Sequence, residues 1–197
     1  IDSFAKSLNQ GFSLSNANII EKIDIGTITE VSETISDEID YDQLKQLLLK
    51  MLAENAGAEK AILFLVKNNI TSLEASWPDH RSSTQAYAAT IVEKALSTGD
   101  IVVTERAQAD IYFKQDDHVK QNNIRSALCL PLYHRNELIA IIYLENNVIY
   151  GAFSPNRLEL LKLLSGQIAI SLKNATLYKN LAESYDHQVE LKNAYSK

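Results

Sequence analysis

Cys129 is the only thiol in the sequence and the first candidate for chemistry. A thiol can act as a redox sensor or anchor a chromophore, and reactive thiols occupy exposed, electropositive sites. Cys129 instead lies in the middle of the apolar segment SALCLPL, residues 126–132. This pattern is typical of a strand interior, so we expect a buried and unreactive core residue.

Three aspartates and a histidine lie close together between residues 104 and 123, where a metal ion could bind carboxylate and imidazole ligands. Their spacing matches no metal-ligand motif. The segment also has few apolar residues and no clean periodicity. We therefore predict solvated loop charges and no metal site. The four residues are Asp110, Asp116, Asp117 and His118.

Six residues are candidates for contact with a small molecule. Tyr112 and Phe113 form an apolar patch that either covers a ligand pocket or anchors its loop to the core. Arg125 could pair with an anionic ligand or with the acidic loop. Two further candidates share one face of the last strand by alternation, although a carboxylate at a strand end can instead cap a backbone amide. The six are Trp77, Tyr112, Phe113, Arg125, Tyr143 and Glu145.

The composition and the motif content argue against several classes of function. A formal net charge of −6 and a pI near 5.2 argue against nucleic-acid binding, which needs a basic face. No apolar run approaches the roughly 18 residues of a membrane span, and one cysteine suits a reducing cytoplasm. No P-loop, nucleophile elbow or zinc-protease motif occurs, so we predict no catalytic residue. The chain begins at Ile1, and we expect it to be a fragment of a larger protein.

Capping and turn residues divide the chain into helices and strands. Thr27 and Glu30 form a capping box for a first helix, and Asp40 or Asp42 can cap a second helix that ends at Gly57. Apolar runs and turn residues predict strands over 60–67, 70–77, 101–103, 126–133 and 138–145. Further helices are predicted over about 84–97, capped by Ser82 and Gln85 and ended by Gly99, and from Pro155 almost to the last residue.

This order of elements predicts an α+β fold with one antiparallel sheet of five or six strands. The terminal helices should cover one face, and the middle helix with the long loop should cover the other. The last helix is too long for a domain of this size, since about 40 residues span about 60 Å. Apolar residues continue along it at seven-residue spacing with polar interruptions, a pattern typical of a weak coiled coil. We expect a homodimer formed through Ile28, Val31, Ile35, Ile170, Leu177, Leu181 and Leu191.

Residues 40–178 resemble the GAF domain, a ligand-binding sensor module. The most specific stretches are SALCLPLYHRNELIAIIYLENN and GAFSPNRLELLKLLSGQIAISLKNATLY. They are similar to GAF domains of hybrid proteins that join a Ser/Thr kinase-like region, an ATPase region and a histidine kinase. The weakly patterned, Ser/Asn-rich residues 1–23 predict a linker or helical extension. The resemblance implies a GAF domain over 24–178 and a connector helix over 179–197.

The resemblance also bears on the ligand, whose identity stays unknown. Bilin-binding GAF domains attach the pigment through a Cys usually followed by His, whereas Leu130 follows Cys129. Cyclic-nucleotide-binding GAF domains carry an Asn-Lys…Phe…Asp-Glu signature. The corresponding zone here holds Asn146, Asn147 and Phe153 without the Lys or the acidic pair, which argues against a cyclic nucleotide. GAF-like methionine sulfoxide reductases generally need more than one cysteine, so a single thiol argues against that activity.

Together these features predict a non-catalytic regulatory domain of a multidomain, cytoplasmic signalling protein with a histidine kinase output. A small molecule, or a change in loop order, would move the 104–123 segment over the sheet. That movement would change how the terminal helices pack against a second copy, and the long helix would transmit the change. The alternative is a module that binds no ligand and serves as a dimerising spacer.

Overall fold

The computed structural model of the protein describes residues 41–78 and 87–194. The predicted helix that begins after Thr27 lies outside these residues, as does the capping box of Ser82 and Gln85. In chain order the elements are α1 (Tyr41–Ala56), β1 (Lys60–Lys67), β2 (Ile70–Trp77), α2 (Ala89–Thr98), β3 (Val102–Thr104), α3 (Asp117–Gln121), β4 (Ser126–His134), β5 (Glu137–Asn146) and α4 (Pro155–Ala194). The predicted α+β class is confirmed.

The described strands form one five-stranded antiparallel sheet in the order β2-β1-β5-β4-β3, with β5 at its centre. Two hairpins have two-residue turns with positive φ at both positions. These are Asn68 and Asn69, with φ of 52° and 59°, and Arg135 and Asn136, with φ of 49° and 65°. Such primed turns match the twist of the flanking strands. Both hairpins were predicted and are confirmed.

One face of the sheet is covered by α2 and residues 105–125, which together we call the roof. Buried side chains from the roof pack against the strand residues that alternate to this face, and they form one apolar cluster. Its larger members include Ile62, Phe64, Ile91, Val92, Phe113, Val119, Ile124, Ile141 and Tyr143. The predicted position of the middle helix and long loop is therefore confirmed.

The opposite face of the sheet is covered by α1 and α4. The first of these helices contacts β1 and β2, the second contacts β4 and β5, and the two helices contact each other. Buried residues with helical spacing line both helices, and the intervening strand residues face them. This layer includes Leu44, Leu49, Leu52, Leu128, Leu130, Leu132, Ile142, Leu144, Leu161, Ile168 and Leu172.

The start of α2 differs from the prediction. The helix begins at Ala89 and not near residue 84, and its N-cap residue Ala88 makes no side-chain capping bond. The missing acceptor is supplied from elsewhere in the chain, because the Asp116 carboxylate accepts from the Thr90 backbone N–H at 3.0 Å. An acceptor 26 residues away cannot be found from a local capping motif.

Smaller differences concern α1, β3 and α3. Of the two predicted caps for α1, Asp42 lies inside the first turn and is not the N-cap, whereas Asp40 lies outside the described residues. The third strand begins at Val102, which leaves Ile101 outside it. The short helix α3 was not predicted, because it has only five residues and only Val119 among them is buried. A single buried residue produces no periodicity in the sequence.

The helix α4 is 40 residues long and would span about 60 Å. Its described buried residues end at Ala175, and the described side chains from Leu177 onward are exposed. The prediction of an extended C-terminal helix is therefore confirmed. Among the described helices, none combines the length and the apolar character that crossing a membrane requires.

Candidate functional site

A cavity of about 200 Å³ opens at the end of the sheet where β1 begins and β2 and β5 end. The antiparallel register of β1 and β5 places Lys60 opposite Glu145 at this end. Glu145 is only 7% exposed, whereas other lining residues are exposed, so the cavity runs from solvent to a buried carboxylate. The described lining residues are Glu59, Lys60, Pro78, Glu145 and Asn147.

The Glu145 carboxylate connects the cavity to the roof. Its Oε2 accepts from the Tyr143 hydroxyl at 2.6 Å and lies 2.8 Å from His118 Nε2. The amide of Asn122 donates to His118 Nδ1 at 3.0 Å, which places the proton of a neutral imidazole on Nε2. His118 can therefore donate to Glu145 from α3. One oxygen thus joins the central strand to the roof.

Burial and the Glu145 carboxylate shift the pKa values of two neighbouring groups, Tyr143 and Lys60. Burial raises the pKa of the Tyr143 hydroxyl well above its ordinary value, and Glu145 raises it further. The phenol therefore stays protonated and donates to Glu145, while its oxygen accepts from the Ala88 backbone N–H at 3.3 Å. Burial lowers the pKa of Lys60, and the charge of Glu145 partly offsets that effect. Lys60 Nζ lies 3.9 Å from Glu145 Oε1.

Asp116 joins the starts of the two roof helices. Its Oδ2 accepts from the backbone N–H and the hydroxyl of Thr90, at 3.0 and 2.8 Å. Its Oδ1 accepts from the backbone N–H groups of His118 and Val119, at 2.9 and 3.3 Å. Four donors on one carboxylate fix α3, and hence His118, relative to α2.

Asp110, a second aspartate of the loop, also has a structural role. Asp110 accepts from the Thr104 hydroxyl and from the Tyr112 backbone N–H, both at 2.9 Å. Asp116 is buried, so its description as a solvated loop charge is wrong. Within residues 41–78 and 87–194, no three His, Cys, Asp or Glu side chains group as metal ligands would.

The structure separates the aromatic and basic candidates. Phe113 packs in the roof cluster, whereas its neighbour Tyr112 is 75% exposed. The Arg125 guanidinium donates to the Val148 carbonyl and lies 5.0 Å from the centre of the Tyr150 ring, and it forms no ion pair with the described aspartates of the loop. These three side chains are not among the described residues that line the cavity.

The remaining candidates lie at or near the cavity. Tyr143 and Glu145 are hydrogen-bonded to each other, as their shared strand face suggested. Glu145 bonds side chains, so the expected backbone amide is not its partner. Trp77 is half-buried and directly precedes the lining residue Pro78. Sequence reasoning missed the other cavity residues and the role of His118 as a partner of Glu145.

Part of the predicted dimer surface lies on the exposed side of α4. Ile170, Leu177 and Leu181 are all exposed. The structure adds three exposed apolar residues to this side: one lies seven residues before Ile170, and the other two lie seven residues from each other in a neighbouring series. These are Leu163, Tyr178 and Tyr185. Ile28, Val31, Ile35 and the side chain of Leu191 lie outside the described parts of the chain.

Cys129 is fully buried in the roof cluster, opposite Val102 of β3. Burial raises the pKa of its thiol far above the ordinary value. The thiolate, which is the reactive form, is therefore scarce at neutral pH.

We expect native Cys129 to react with iodoacetamide at least about 100-fold more slowly than the urea-unfolded chain, because reaction requires opening of the core. Mass spectrometry of timed samples at pH 8 measures both rates on the same single thiol. Equal rates in the native and unfolded chains would show that the thiol is accessible.

A central antiparallel sheet, a roof and a small cavity that ends at a buried carboxylate define an α+β domain with a candidate ligand site. The chain belongs to the GAF domain family, whose model matches residues 40–172. This match confirms the resemblance seen in the sequence. The predicted boundaries at residues 24 and 178 remain predictions.

Two curated relatives are histidine kinases. The "Hybrid signal transduction histidine kinase G" of Dictyostelium discoideum is 45% identical over 78 residues, which is 40% of this chain and 2% of that protein. The "Peroxide stress-activated histidine kinase mak3" of Schizosaccharomyces pombe is 21% identical over 198 residues, which is 93% of this chain and 8% of that protein. The chain thus spans a small part of each relative.

Solved structures share the fold at low sequence identity. The GAF domain of an Acinetobacter phosphoenolpyruvate-protein phosphotransferase has a TM-score of 0.59 at 16% identity, covering 78% of this chain and 94% of that one. A type II free methionine-R-sulfoxide reductase from Thermoplasma acidophilum has a TM-score of 0.54 at 15% identity, covering 68% and 93%. At such identities the likeness concerns the fold alone.

Proposed function

We propose that this GAF domain is a non-catalytic sensor that passes a change at its cavity to the helix α4. The observation that carries the proposal is the position of Glu145. Its carboxylate lines the cavity and at the same time accepts hydrogen bonds from the central strand and from His118 in the roof. A ligand that contacts Glu145 competes with, or strengthens, contacts that fix the roof.

The central strand gives this change a route to the helical face. Tyr143 faces the roof, and the next residue, Leu144, is buried on the opposite face. The helix α4 packs against β4 and β5 on that side. A ligand can shift the equilibrium only if it binds two arrangements with different affinities. The two proposed states differ in whether His118 is bonded to Glu145.

The output belongs to the same proposal. Exposed apolar residues at seven-residue spacing on α4 suit pairing with a second copy of the chain. The curated relatives are named as histidine kinases. We therefore propose a homodimer that transmits a change in helix packing to a histidine kinase region. A cytoplasmic location is part of this proposal, because one buried cysteine suits a reducing compartment.

A second candidate function is a dimerising spacer that binds no ligand. The observation that favours it is the burial of Phe113, which fills the space under the roof where a ligand pocket had been considered. The cavity at Glu145 lies outside that filled region and favours the sensor. Detection of a saturable ligand at the cavity would decide against the spacer.

Replacing His118 by alanine should loosen the roof. The variant loses the contacts of the imidazole with Glu145 and Asn122. A hydrogen bond to a charged group contributes about 1.5–3 kcal/mol, so we expect amide exchange across 105–125 to rise about tenfold or more. Hydrogen–deuterium exchange with mass spectrometry measures this, and we expect a smaller rise in α4 between residues 161 and 175.

The matched control is His134→Ala, which replaces a half-buried histidine at the end of β4 that pairs with Glu137 and lies away from Glu145. We expect this variant to exchange as the wild type does in both segments. Faster exchange in the roof of the His118 variant without any change in α4 would show that the roof and α4 are not coupled, and would contradict the proposed route.

A further inference from the structure

The charges around the cavity favour a ligand that carries a positive group. Two carboxylates and one ammonium group line its described wall: Glu59, Glu145 and Lys60. Glu59 Oε2 accepts from the Asn147 backbone N–H at 2.9 Å, which holds this second carboxylate at the entrance. Among these described lining residues the carboxylates outnumber the ammonium group, so this part of the wall attracts a cation more strongly than an anion.

Glu145 has acceptor capacity left for such a cation. Its Oε2 already takes part in two hydrogen bonds, to Tyr143 and His118. The assigned partner of its Oε1 is Lys60 Nζ at 3.9 Å, beyond hydrogen-bonding distance. A carboxylate oxygen accepts about two hydrogen bonds. A buried oxygen with this capacity beside a cavity suits a charged N–H donor.

The size of the cavity limits the ligand. An apolar cavity of about 150 Å³ can hold benzene, so a cavity of about 200 Å³ can enclose roughly ten non-hydrogen atoms of a ligand. Pockets for drug-sized molecules are about 300–1,000 Å³. Size and charge therefore both argue against a cyclic nucleotide, which is larger and carries a phosphate.

We propose that the cavity binds a small organic ligand through a primary ammonium group. This group donates to Glu145 Oε1, with the second carboxylate of Glu59 at the entrance. The inference rests on the proposed sensor function and names the ligand class of that same site. Such a ligand would also bind the two proposed states with different affinities. An ammonium group bonded to Glu145 weakens the hydrogen bond between that carboxylate and His118, so the ligand favours the state in which His118 is released.

Three probes of equal length test the ligand class on the whole 197-residue chain at pH 7. They are n-butylamine, which is protonated at this pH, the neutral butan-1-ol and the anion butyrate. We expect n-butylamine to bind with a Kd on the order of 1 mM. We expect the alcohol to bind about tenfold more weakly, because it lacks the charge-assisted bond, and butyrate to show no saturable binding. Ligand-observed NMR titration measures all three.

Two variants locate the binding site. Glu145→Gln keeps the shape and removes the charge, and should weaken n-butylamine binding about tenfold or more. Glu59→Gln lies at the exposed entrance, where screening limits the effect to about threefold. Glu93→Gln, exposed on α2 and absent from the described cavity wall, should leave binding unchanged. Circular dichroism checks that each variant is folded. If Glu145→Gln does not fold, Glu59→Gln still tests whether n-butylamine binds at this cavity.

Several results would overturn the ligand class. These are butyrate binding as tightly as n-butylamine, no saturable n-butylamine binding, or unchanged binding in both folded cavity variants. None of them affects the His118→Ala exchange experiment, which uses no ligand. The proposed ligand class can therefore be wrong while the proposed route from roof to α4 is correct. Equally, the route can be wrong while the ligand class is correct.

Discussion

Replacing Asp116 by alanine is expected to lower the free energy of unfolding by about 3 kcal/mol, because a nearly buried carboxylate that accepts four hydrogen bonds is lost. Asp116 is 8% exposed, so water cannot replace it at all four donors. The change removes the acceptor at the start of α2 and the N-cap of α3 together. Each lost cap typically costs about 0.5–2 kcal/mol. Urea denaturation followed by circular dichroism measures the difference.

The neighbouring aspartate provides the control. Asp117 is exposed in the first turn of α3, where its interaction with the helix dipole is worth no more than about 1 kcal/mol. Asp117→Ala should therefore be nearly neutral. Asp116→Asn should lower the free energy of unfolding by an intermediate amount, because asparagine keeps one acceptor oxygen but places an NH₂ group near the donors. Equal losses from both alanine variants would show that Asp116 does not join the roof helices.

Introducing glutamate at Leu177 and Leu181 together is expected to weaken self-association at least about 100-fold. In the proposed dimer these residues, which are 55% and 67% exposed in the single chain, become buried against the partner helix. Burying a leucine side chain contributes about 1.5–3 kcal/mol, and each copy would lose two. The new carboxylates would also repel one another. Sedimentation velocity over a range of concentrations measures the association.

The control for the dimer lies one residue away. Asn180 is exposed on the same helix and does not belong to the seven-residue pattern, so Asn180→Glu should associate as the wild type does. The single variant Leu181→Glu should already associate more weakly than Asn180→Glu. A wild-type chain that stays monomeric at high concentration would remove the basis for the dimer.

The sheet could be predicted because its signals are local. Paired turn residues such as Asn68 and Asn69 have positive φ, and the hairpin β1–β2 has the bounds expected from them. The alternation in β5 also placed Tyr143 and Glu145 on one face. Turns and strand faces depend on residues that are adjacent in sequence or two apart, so a single sequence is sufficient to predict them.

The roof and the site could be predicted only in part, because their contacts join distant segments. His118 meets Glu145 across 27 positions of sequence, and Asp116 caps a helix 26 positions earlier. No spacing rule predicts such pairs, since they depend on how an irregular segment packs. Lys60 was assigned to a strand end, and its position opposite Glu145 became apparent only from the sheet register.

The distance between the last buried residue of α4, Ala175, and its end at Ala194 has a mechanical consequence. This projecting part rises about 28 Å, so a tilt of about 5° at its base displaces its tip by about 2.5 Å. In the proposed relay this part of the helix would act as a lever arm, and its length beyond Ala175 would set how far a tilt at the base moves the tip. A tilt of α4 that is too small to disturb the packed core is therefore sufficient to move the C-terminal end of the helix by more than an atomic radius.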